Sequence, residues 1–491
     1  MSLPIAQEGY TFDDVLLMPR MSDLLPDEAS VATLFSRRVP IQLPIVGAAM
    51  DTVTESALAI ALAELGGIGI IHRNMTEEQQ ADEVTRVKRS ENGIVADPVT
   101  LRPDDPVEKA CETMEIRALS GIPVVDAEDQ LVGILTKRDL RFQHPAGTPI
   151  SQIMTRPPLV TAPANTSPEI ARDILMRRKV EKLLLVEDGR LAGLITMRDI
   201  DRFETYPHAS RDERGRLRVG AAVGVSPGDD SRARKLLAAG VDVLVIDTAH
   251  GHSRNVVESV KRYRELSDGK VDVVAGNVAT IEGAQALVAA GCDGVKVGIG
   301  PGSICTTRVI SGVGVPQMTA IAETASVCRA AGVPLIADGG IKQSGDLAKA
   351  LAAGADSVML GSLLAGADET PGQIVHYQGR AYKEYRGMGS LGAMMAGMSS
   401  KQRYRQGTRA PDDLVPEGVE ARVPYKGPLA ATLKYLVGGL KSGMGYTGSG
   451  TLEALRRNAR FMRISQASLA ESRPHSVAIT KESPNYSPDR I

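Results

Sequence analysis

The sequence predicts an α/β protein, a (β/α)8 barrel interrupted by an inserted pair of repeated modules. Three observations support this fold class: eight short apolar runs bounded by glycine, helical patterns between most of them, and one long interruption with an internal repeat. A chain of 491 residues is long enough for about two to four domains.

The eight apolar runs are short, continuous and rich in Val, Ile, Leu and Ala, as expected of strands buried on both faces of a parallel sheet. They are Ile45–Met50, Gly67–His72, Val219–Val225, Val241–Asp247, Val271–Ala275, Gly294–Val297, Pro334–Ala337 and Ser357–Leu360. Eight strand–helix units form a barrel. An open, doubly wound sheet is the alternative, but the number of units and the polar, Gly-rich strand ends favour closure.

Most of the segments between these runs have a helical pattern that ends in Ala-Gly or Leu-Gly. Examples are SRARKLLAAGVD, TIEGAQALVAAGCD, IAETASVCRAAGVP and GDLAKALAAGAD. The glycine marks the end of each helix, and the next strand follows at once. In such a barrel the chemistry is expected on the loops that follow the strands.

The alternation stops after the second predicted helix, Thr76–Lys88, and resumes near Arg214. Between these points Pro98–Thr100 matches Leu159–Thr161 and Leu131–Asp139 matches Leu191–Asp199, a period of about 60 residues. This repeat resembles a tandem pair of CBS modules, a Bateman domain. We therefore predict residues 1–91 as the first part of the barrel with strands 1 and 2, 92–205 as the tandem module (92–150 and 151–205), and 206–491 as the second part with strands 3 to 8.

Each repeat ends in the pattern T-x-x-D. The resemblance to CBS modules implies that these residues form ribose-binding corners, since a carboxylate accepts hydrogen bonds from ribose hydroxyls. The residues are Thr136, Asp139, Thr196 and Asp199. A Thr N-cap with an acidic first turn is the alternative. Two such motifs in register favour regulatory binding of purine nucleotides, ATP or GTP, whose identity and effect stay open.

Charge and composition exclude several classes of protein. With 57 Lys+Arg against 59 Asp+Glu, the chain lacks the positive field of a nucleic-acid-binding protein. A hydrophobic content of 43% and a charged content of 24% argue against disorder, collagen and a disulfide scaffold. The sequence has no apolar run of transmembrane length and no signal-peptide pattern. These features predict a cytoplasmic protein without a membrane or nucleic-acid partner.

The four cysteines form no C-x-x-C pair, which disfavours a zinc site. Cys111, Cys292 and Cys328 lie in helical or helix-end patterns and are predicted as core residues. Cys305 instead lies in 298–308 (GIGPGSICTTR), the loop after the sixth strand. Hydroxyl neighbours and Arg308 make this thiol the candidate nucleophile.

The segment GPGSICTTR at 300–308 resembles the active-site loop of the inosine-5′-monophosphate (IMP) dehydrogenase family, in its bacterial form with tandem CBS modules. The resemblance extends over nearly the whole chain, through Thr11–Leu17, Ala49–Val53, Gly69–His72, the insertion and Lys481–Tyr486. It implies NAD-dependent oxidation of IMP to xanthosine 5′-monophosphate (XMP), the committed step of guanine nucleotide synthesis.

Barrels commonly bind phosphate on the loops after strands 7 and 8, where glycines let backbone amides approach the anion. The resemblance implies an IMP site that includes these loops, with Asp338 as acceptor for the ribose hydroxyls and Glu417 beside the base. The implied residues are Ser303, Asp338, Gly339, Gly340, Gly361, Ser362, Tyr385, Gly387, Met388, Gly389 and Glu417. A plain tight turn is the alternative for Asp338-Gly339-Gly340.

For the cofactor, the family binds nicotinamide riboside on the loops after strands 4, 5 and 6. This implies an NAD site made of Asp247, Thr248, Asn277 and Gly298. His250 and His252 follow in the same segment, but no acidic or thiol residue stands at ligand spacing, so a metal site is disfavoured.

The resemblance also implies a two-step mechanism. Cys305 attacks C2 of the purine, hydride passes to NAD⁺, and water hydrolyses the thioimidate. The polar segment 399–418 belongs to a flap of about residues 387–420, in which Arg403 and Tyr404 activate the water with help from Thr307. From composition alone, Arg403 is instead interpreted as a surface charge on a solvated loop.

A K⁺ site is implied as well, formed by the carbonyl groups of Gly300, Gly302 and Cys305 with Glu471, Ser472 and Arg473 of a neighbouring subunit. Shared ligands imply a homotetramer, which the CBS pair could join into an octamer. Two alternatives remain. GMP reductase shares the barrel and the cysteine loop, although it generally lacks the CBS pair and the Arg-Tyr flap. The other is a nucleotide-sensing regulatory protein on an inactive barrel.

Overall fold

The computed structural model of the chain describes residues 7–90, 98–116, 119–141, 145–407 and 409–486. The chain divides into two compact units. The first consists of Met1–Lys88, His208–Ser210 and Leu217–Ile491, and the second of Arg89–Pro207 and Arg211–Arg216. The second unit is therefore an insertion between parts of the first.

Eight parallel strands of the first unit close into a barrel, so the predicted fold class is confirmed. The strands are β1 (Ile45–Gly47), β2 (Ile68–Ile71), β3 (Val219–Val223), β4 (Val243–Asp247), β5 (Asp272–Val278), β6 (Gly294–Val297), β7 (Leu335–Asp338) and β8 (Ser357–Leu360). β2 pairs directly with β3 across the insertion. β8 pairs with β1, with Val358 opposite Ile45. β5 is longer than predicted, so Asn277 lies within the strand.

A helix follows each barrel strand. These helices are α1 (Ser56–Glu64), α2 (Glu77–Arg89), α3 (Asp229–Ala238), α4 (Arg254–Leu266), α5 (Ile281–Ala289), α6 (Gln317–Ala330), α7 (Ser344–Ala353) and α8 (Leu429–Tyr446). α8 packs against α7 and α1, which completes the outer ring. Gly240, after α3, has a φ of +84°, the left-handed conformation that ends a helix.

Alternating residues of the strands form two apolar layers. In β4, Val243 and Val245 belong to the core inside the barrel, whereas Leu244 and Ile246 belong to the core beneath the helices. A hairpin of Thr33–Ser36 and Val39–Ile41 contributes Phe35 to the inner core. It covers the end of the barrel where the strands begin, because Ser36 Oγ donates to Asp272 Oδ2 at 2.6 Å. The loops that carry the predicted site lie at the opposite end of the barrel.

Between β8 and α8 the chain forms an antiparallel sheet of Ile374–Tyr377, Arg380–Arg386 and Glu420–Pro424. The predicted flap follows this sheet's second strand and contains two short helices, Leu391–Ala396 and Met398–Arg403. The expectation of an irregular loop at 399–418 is therefore wrong for its first residues. Further helices of the first unit are Thr307–Ser311, Leu452–Asn458 and Gln466–Glu471, and Val15–Leu17 pairs with Phe461–Arg463.

The second unit contains two copies of one arrangement, a helix followed by an antiparallel strand pair. The first copy is Val107–Ile116, Gly121–Val125 and Leu131–Thr136, and the second is Pro168–Arg178, Lys182–Glu187 and Arg190–Thr196, followed by the helix Met197–Thr205. An upstream segment lies parallel to the first strand of each pair, with Leu101 opposite Val124 and Thr161 opposite Leu184. Each copy has its own apolar core.

The four cysteines differ in how far they are buried. Cys292 and Cys328 are buried, as predicted, but Cys111 is exposed, so the core prediction is wrong there. The helix Val107–Ile116 buries only a narrow stripe of residues, which leaves Cys111 on the solvent side.

In the described part of the chain, no helix combines the length and apolar character that a membrane crossing requires.

Candidate active site

Cys305 lies on the loop that connects β6 with the short helix Thr307–Ser311. Its thiol is partly exposed and lies 3.2 Å from Thr307 Oγ1, with Sγ as the donor. Burial raises the pKa of Cys292 and of Cys328 to about 12, so both stay protonated and inert near neutral pH. Cys305 is therefore the barrel cysteine that can act as a nucleophile.

Arg308 connects two segments that flank Cys305. Its guanidinium donates to the Ile299 carbonyl at 3.0 Å and to the Val315 carbonyl at 2.6 Å. The side chain thus fixes both ends of the cysteine loop. Burial lowers the pKa of Arg308, and Cys305 opposes this shift.

A cavity of about 190 Å³ lies beside the cysteine loop. Six predicted IMP residues line it, namely Ser303, Gly339, Gly340, Gly361, Ser362 and Tyr385. A Cβ on Gly361 would lie 2.7 Å from the Tyr385 hydroxyl, so the loop after β8 packs closely on this tyrosine. Burial raises the pKa of Tyr385, while its hydrogen bond with Ser303 opposes the shift. The hydroxyl therefore stays protonated and can donate to an anion in the cavity.

A buried lysine that the sequence analysis did not single out joins the two predicted ribose-binding acids. Lys296 Nζ lies 3.0 Å from Asp247 Oδ1 and 2.7 Å from Asp338 Oδ2, and it also donates to Asn277 Oδ1. The Asn277 amide donates in turn to Asp338 Oδ2 at 2.8 Å and to the Gly298 carbonyl at 2.7 Å. The structure therefore brings the predicted IMP acid and three predicted NAD residues together around one cation.

The flap lies against the cysteine loop through its backbone. Thr306 N donates to the Glu417 carbonyl at 3.0 Å, and Glu417 N donates to the Gly389 carbonyl at 2.9 Å. A Cβ on Gly389 would lie 2.6 Å from the Tyr404 ring, which shows that this ring covers the glycine directly. Met388 is buried and Gly387 approaches the Ile304 carbonyl. The predicted base-binding residues and Tyr404 thus lie within the neighbourhood of Cys305.

Arg403 is not a solvated surface charge. Its side chain is 18% exposed and forms an ion pair with Asp247 Oδ2, and its Nε is buried without a partner. Burial lowers the pKa of Arg403, and neighbouring Arg73 lowers it further, whereas Tyr404 opposes the shift. Burial raises the pKa of Tyr404. The pair thus occupies a desolvated position against the acid predicted for the cofactor.

A second cavity, of about 580 Å³, opens between Arg403 and the residues that follow β3 and β4. Thr248, His250, Ser253 and Arg405 are among its lining residues. The Thr248 hydroxyl itself donates to the Gly276 carbonyl at 2.7 Å. This cavity adjoins the predicted NAD residues and offers hydroxyl, imidazole and guanidinium groups.

The remaining predicted residues lie apart from this cluster. Glu471 ends the exposed helix Gln466–Glu471, with Ser472 and Arg473 after it, and no hydrogen bond of the described residues joins them to Gly300, Gly302 or Cys305. In the second unit, Asp139 Oδ2 accepts from Thr136 N and from Thr136 Oγ1, both at 2.7 Å. Thr196 ends a strand, and the side chain of Asp199 lies outside the described part of the chain.

Comparison with known proteins identifies the family. A model described as the IMP dehydrogenase / GMP reductase domain matches residues 9–475. The chain belongs to the IMP dehydrogenase / GMP reductase family. An inosine-5′-monophosphate dehydrogenase of Rhodopirellula baltica is 56% identical over 486 residues, which cover 99% of this chain and 89% of the relative. That of Aquifex aeolicus is 55% identical over 483 residues, 98% of each chain.

Among solved structures of the family, a GMP reductase variant from Trypanosoma brucei in complex with guanosine 5′-monophosphate is similar, with a TM-score of 0.85 and 40% identity. It covers 96% of this chain and 98% of its own. An alignment of that extent includes the insertion, so the insertion alone does not separate this chain from every reductase. The higher identity to the two dehydrogenases favours the dehydrogenase activity.

Proposed function

We propose that this chain is an NAD-dependent oxidoreductase that converts IMP to XMP, the committed step of guanine nucleotide synthesis. The observation that carries the proposal is that three features lie at one end of the barrel: the Cys305 thiol, a glycine-lined cavity and the partly buried Arg403. A nucleophile, an anion cradle and a group that can activate water are the parts that oxidation followed by hydrolysis requires.

The IMP phosphate would occupy the 190 Å³ cavity. Gly339 and Gly340 have φ values of +91° and +85°, a conformation that turns backbone amides toward a bound anion. Hydroxyls of Ser303, Ser362 and Tyr385 would add donors, and Asp338 would accept from the ribose hydroxyls. The base would then lie toward Cys305, between Gly387–Gly389 and Glu417.

In the redox step, Cys305 as thiolate forms a bond from Sγ to C2 of the hypoxanthine ring. The hydrogen on C2 would then leave with its electron pair, which bound NAD⁺ would accept, so that the purine is oxidised to a thioimidate on Sγ. Lys296 holds Asp247 and Asp338 in place through both events, because its ammonium contacts both carboxylates.

In the hydrolytic step, water loses a proton and its oxygen attacks C2, after which the C2–S bond breaks and XMP leaves. Arg403 is the proposed base, with Tyr404 and Thr307 beside it. A guanidinium normally stays protonated, and the ion pair with Asp247 favours the charged form. Burial, the largest effect, nevertheless lowers the pKa of Arg403, with Arg73 acting in the same direction and Tyr404 opposing it. That shift is in the direction required for proton transfer.

NAD would supply the hydride acceptor, held by Asp247, Thr248, Asn277 and Gly298. The residues fit such a group, because Asp247 is a buried acid at a strand end beside a cavity lined by polar side chains. Arg403 contacts this same carboxylate. A cofactor ribose held by Asp247 would therefore compete with Arg403 for this carboxylate, and the flap would close after the reduced cofactor has left.

A K⁺ ion at the carbonyls of Gly300, Gly302 and Cys305 is part of the proposal. Backbone carbonyls are suitable ligands for this ion, and the Gly302 carbonyl is already oriented by the Cys305 N–H at 3.1 Å. The remaining ligands would come from Glu471, Ser472 and Arg473 of a neighbouring subunit, in a homotetramer.

For the second unit we propose a tandem CBS module, at about residues 92–205, that binds ATP or GTP and adjusts activity or assembly up to an octamer. Its two similar copies support this assignment. Thr136, Asp139, Thr196 and Asp199 are the proposed nucleotide contacts. A cytoplasmic location belongs to the proposal as well, because a catalytic thiol must stay reduced.

The central test is an absorbance assay with purified protein, IMP, NAD⁺ and K⁺. NADH should accumulate with steady turnover in the native chain and in Cys111→Ala, a matched control at the exposed thiol. In Cys305→Ala, NADH formation should fall by at least about a thousandfold, since covalent catalysis is lost. Turnover of GMP with NADPH, without NADH formation from IMP, would instead establish a reductase.

A further inference from the structure

Asn74, in the loop after β2, connects the barrel to the flap. Its Nδ2 donates to Asp51 Oδ2 at 2.8 Å and to the Ala393 carbonyl at 3.3 Å, and its Oδ1 accepts from the Ser399 hydroxyl at 3.0 Å. Both ends of the amide are therefore occupied. Two of the three partners belong to the flap, one on each of its short helices.

The flap backbone is shaped around this amide. Gly397 separates the helices Leu391–Ala396 and Met398–Arg403, and a Cβ on it would lie 2.1 Å from Asn74 Oδ1. On the barrel side, further hydrogen bonds fix Asn74 and its partner Asp51. Asn74 N donates to His72 Nδ1 at 3.1 Å, and Asp51 also accepts from Arg386 Nη2 at 2.7 Å. The Asn74 side-chain amide is thus held in place, and the flap backbone around Gly397 is complementary to it.

The contact lies on the face of the flap helix that carries Arg403. Ser399 precedes Arg403 by four residues, and residues at this spacing share one face of a helix. Arg73, the neighbour of Asn74, adds a hydrogen bond from Nη1 to Gln402 Oε1 at 3.3 Å. Fixing Ser399 and Gln402 on the barrel therefore fixes the direction in which Arg403 points.

We propose that Asn74 is the latch that holds the flap closed, and that it is a positioning residue for the hydrolytic step. The inference rests on the proposed function for its catalytic consequence. In the proposed function the cofactor occupies Asp247 during hydride transfer and the flap lies away from it, so the latch should leave that step unchanged.

The first test separates the two steps by rapid mixing with IMP and NAD⁺. In Asn74→Ala, the NADH burst should keep its rate, while steady turnover falls about tenfold, as expected for the loss of two hydrogen bonds in the closed state. Asn458→Ala is the matched control, because Asn458 Nδ2 donates to the Gly448 carbonyl at 3.2 Å, away from the flap. Equal loss of burst and turnover, or an equal loss in the control, would overturn the latch.

The second test requires no activity. Trypsin cleavage at Lys401, Arg403 and Arg405 measures the open fraction of the flap when opening is fast. Asn74→Ala and Gly397→Ala should each accelerate this cleavage about tenfold, and Asn458→Ala should leave it unchanged. Cleavage of Asn74→Ala at the native rate contradicts the latch. If the native chain forms no NADH from IMP, but Asn74→Ala is still cleaved faster than the native chain, the proposed function is refuted and the latch is retained.

Discussion

Lys296 illustrates what single residues contribute beyond recognisable motifs. It lies in β6, where neighbouring side chains are apolar, and a buried ammonium is costly unless it is paired. The sequence GVKVG contains this signal, since a lysine within a strand buried on both faces requires an acidic partner. Asp247 and Asp338 were predicted as separate ribose acceptors because their contact through Lys296 depends on barrel closure, which brings β4, β6 and β7 together.

Replacing Lys296 by methionine should affect both substrates at once. It removes the cation shared by the buried Asp247 and the partly exposed Asp338, and removing one partner of a buried pair typically costs about 3–5 kcal/mol. We expect the KM values for IMP and for NAD to rise together and the thermal midpoint to fall, whereas Lys270→Met, at an exposed pair, should change neither. Initial rates and thermal unfolding measure both effects. A rise in only one KM would argue against a shared anchor.

Arg403 was assigned from a family resemblance, because its own segment has the composition of a solvated loop. Its burial and its ion pair with Asp247 depend on tertiary contacts that no local pattern encodes. Arg403→Ala should retain the NADH burst and lose steady turnover by about a hundredfold or more, the usual effect of removing a general base. It should also bind NAD more tightly, because the Arg403 guanidinium then no longer competes for Asp247.

The matched control for that variant is Arg409→Ala, since Arg409 lies in the same flap and its guanidinium donates to the nearby Asp413 carbonyl at 3.4 Å. Rapid mixing resolves the burst from turnover, and titration with a non-reducible NAD analogue measures affinity. Loss of the burst in Arg403→Ala would assign the residue to hydride transfer or binding instead.

Among the elements, regular barrel strands were predictable and the flap helices were not. A strand buried on both faces needs a continuous apolar run, so β6 and β8 have the predicted bounds. The helix Met398–Arg403 has no apolar stripe to indicate it, and its contacts to Asn74 and Asp247 stabilise it from outside. Short helices generally depend on tertiary packing rather than on propensity.

The loop after β7 offers a test of the phosphate cradle. Gly339 has a φ of +91°, and a Cβ there would lie 3.0 Å from Pro301 on the cysteine loop. Gly339→Ala imposes about 1–2 kcal/mol of left-handed backbone strain, so the KM for IMP should rise about tenfold with a smaller change in the KM for NAD. Gly345→Ala, in open space in α7, should leave both constants unchanged. An equal rise for both substrates would place the damage outside the cradle.

At the scale of the whole molecule, the two units have separate apolar cores. Continuous pairing of β2 with β3 keeps the barrel complete irrespective of the insertion. The repeat made the second unit recognisable from sequence. The role of its proposed nucleotide corner was less predictable, because Asp139 accepts from Thr136 N and Oγ1, an arrangement that also serves as a cap.

That ambiguity can be resolved by titrating activity and particle size against ATP and GTP. If the corner binds ribose, Asp139→Ala should weaken the response about tenfold or more while leaving turnover without nucleotide unchanged, because a carboxylate hydrogen-bonded to a ligand typically contributes about 1.5–3 kcal/mol. Asp105→Ala is the matched control, since Asp105 Oδ2 accepts from Arg102 N at 2.8 Å in a turn of the same repeat. An equal loss of the nucleotide response in both variants would mean that Asp139 only stabilises its turn. If the native chain responds to neither nucleotide, the second unit has no regulatory role for ATP or GTP.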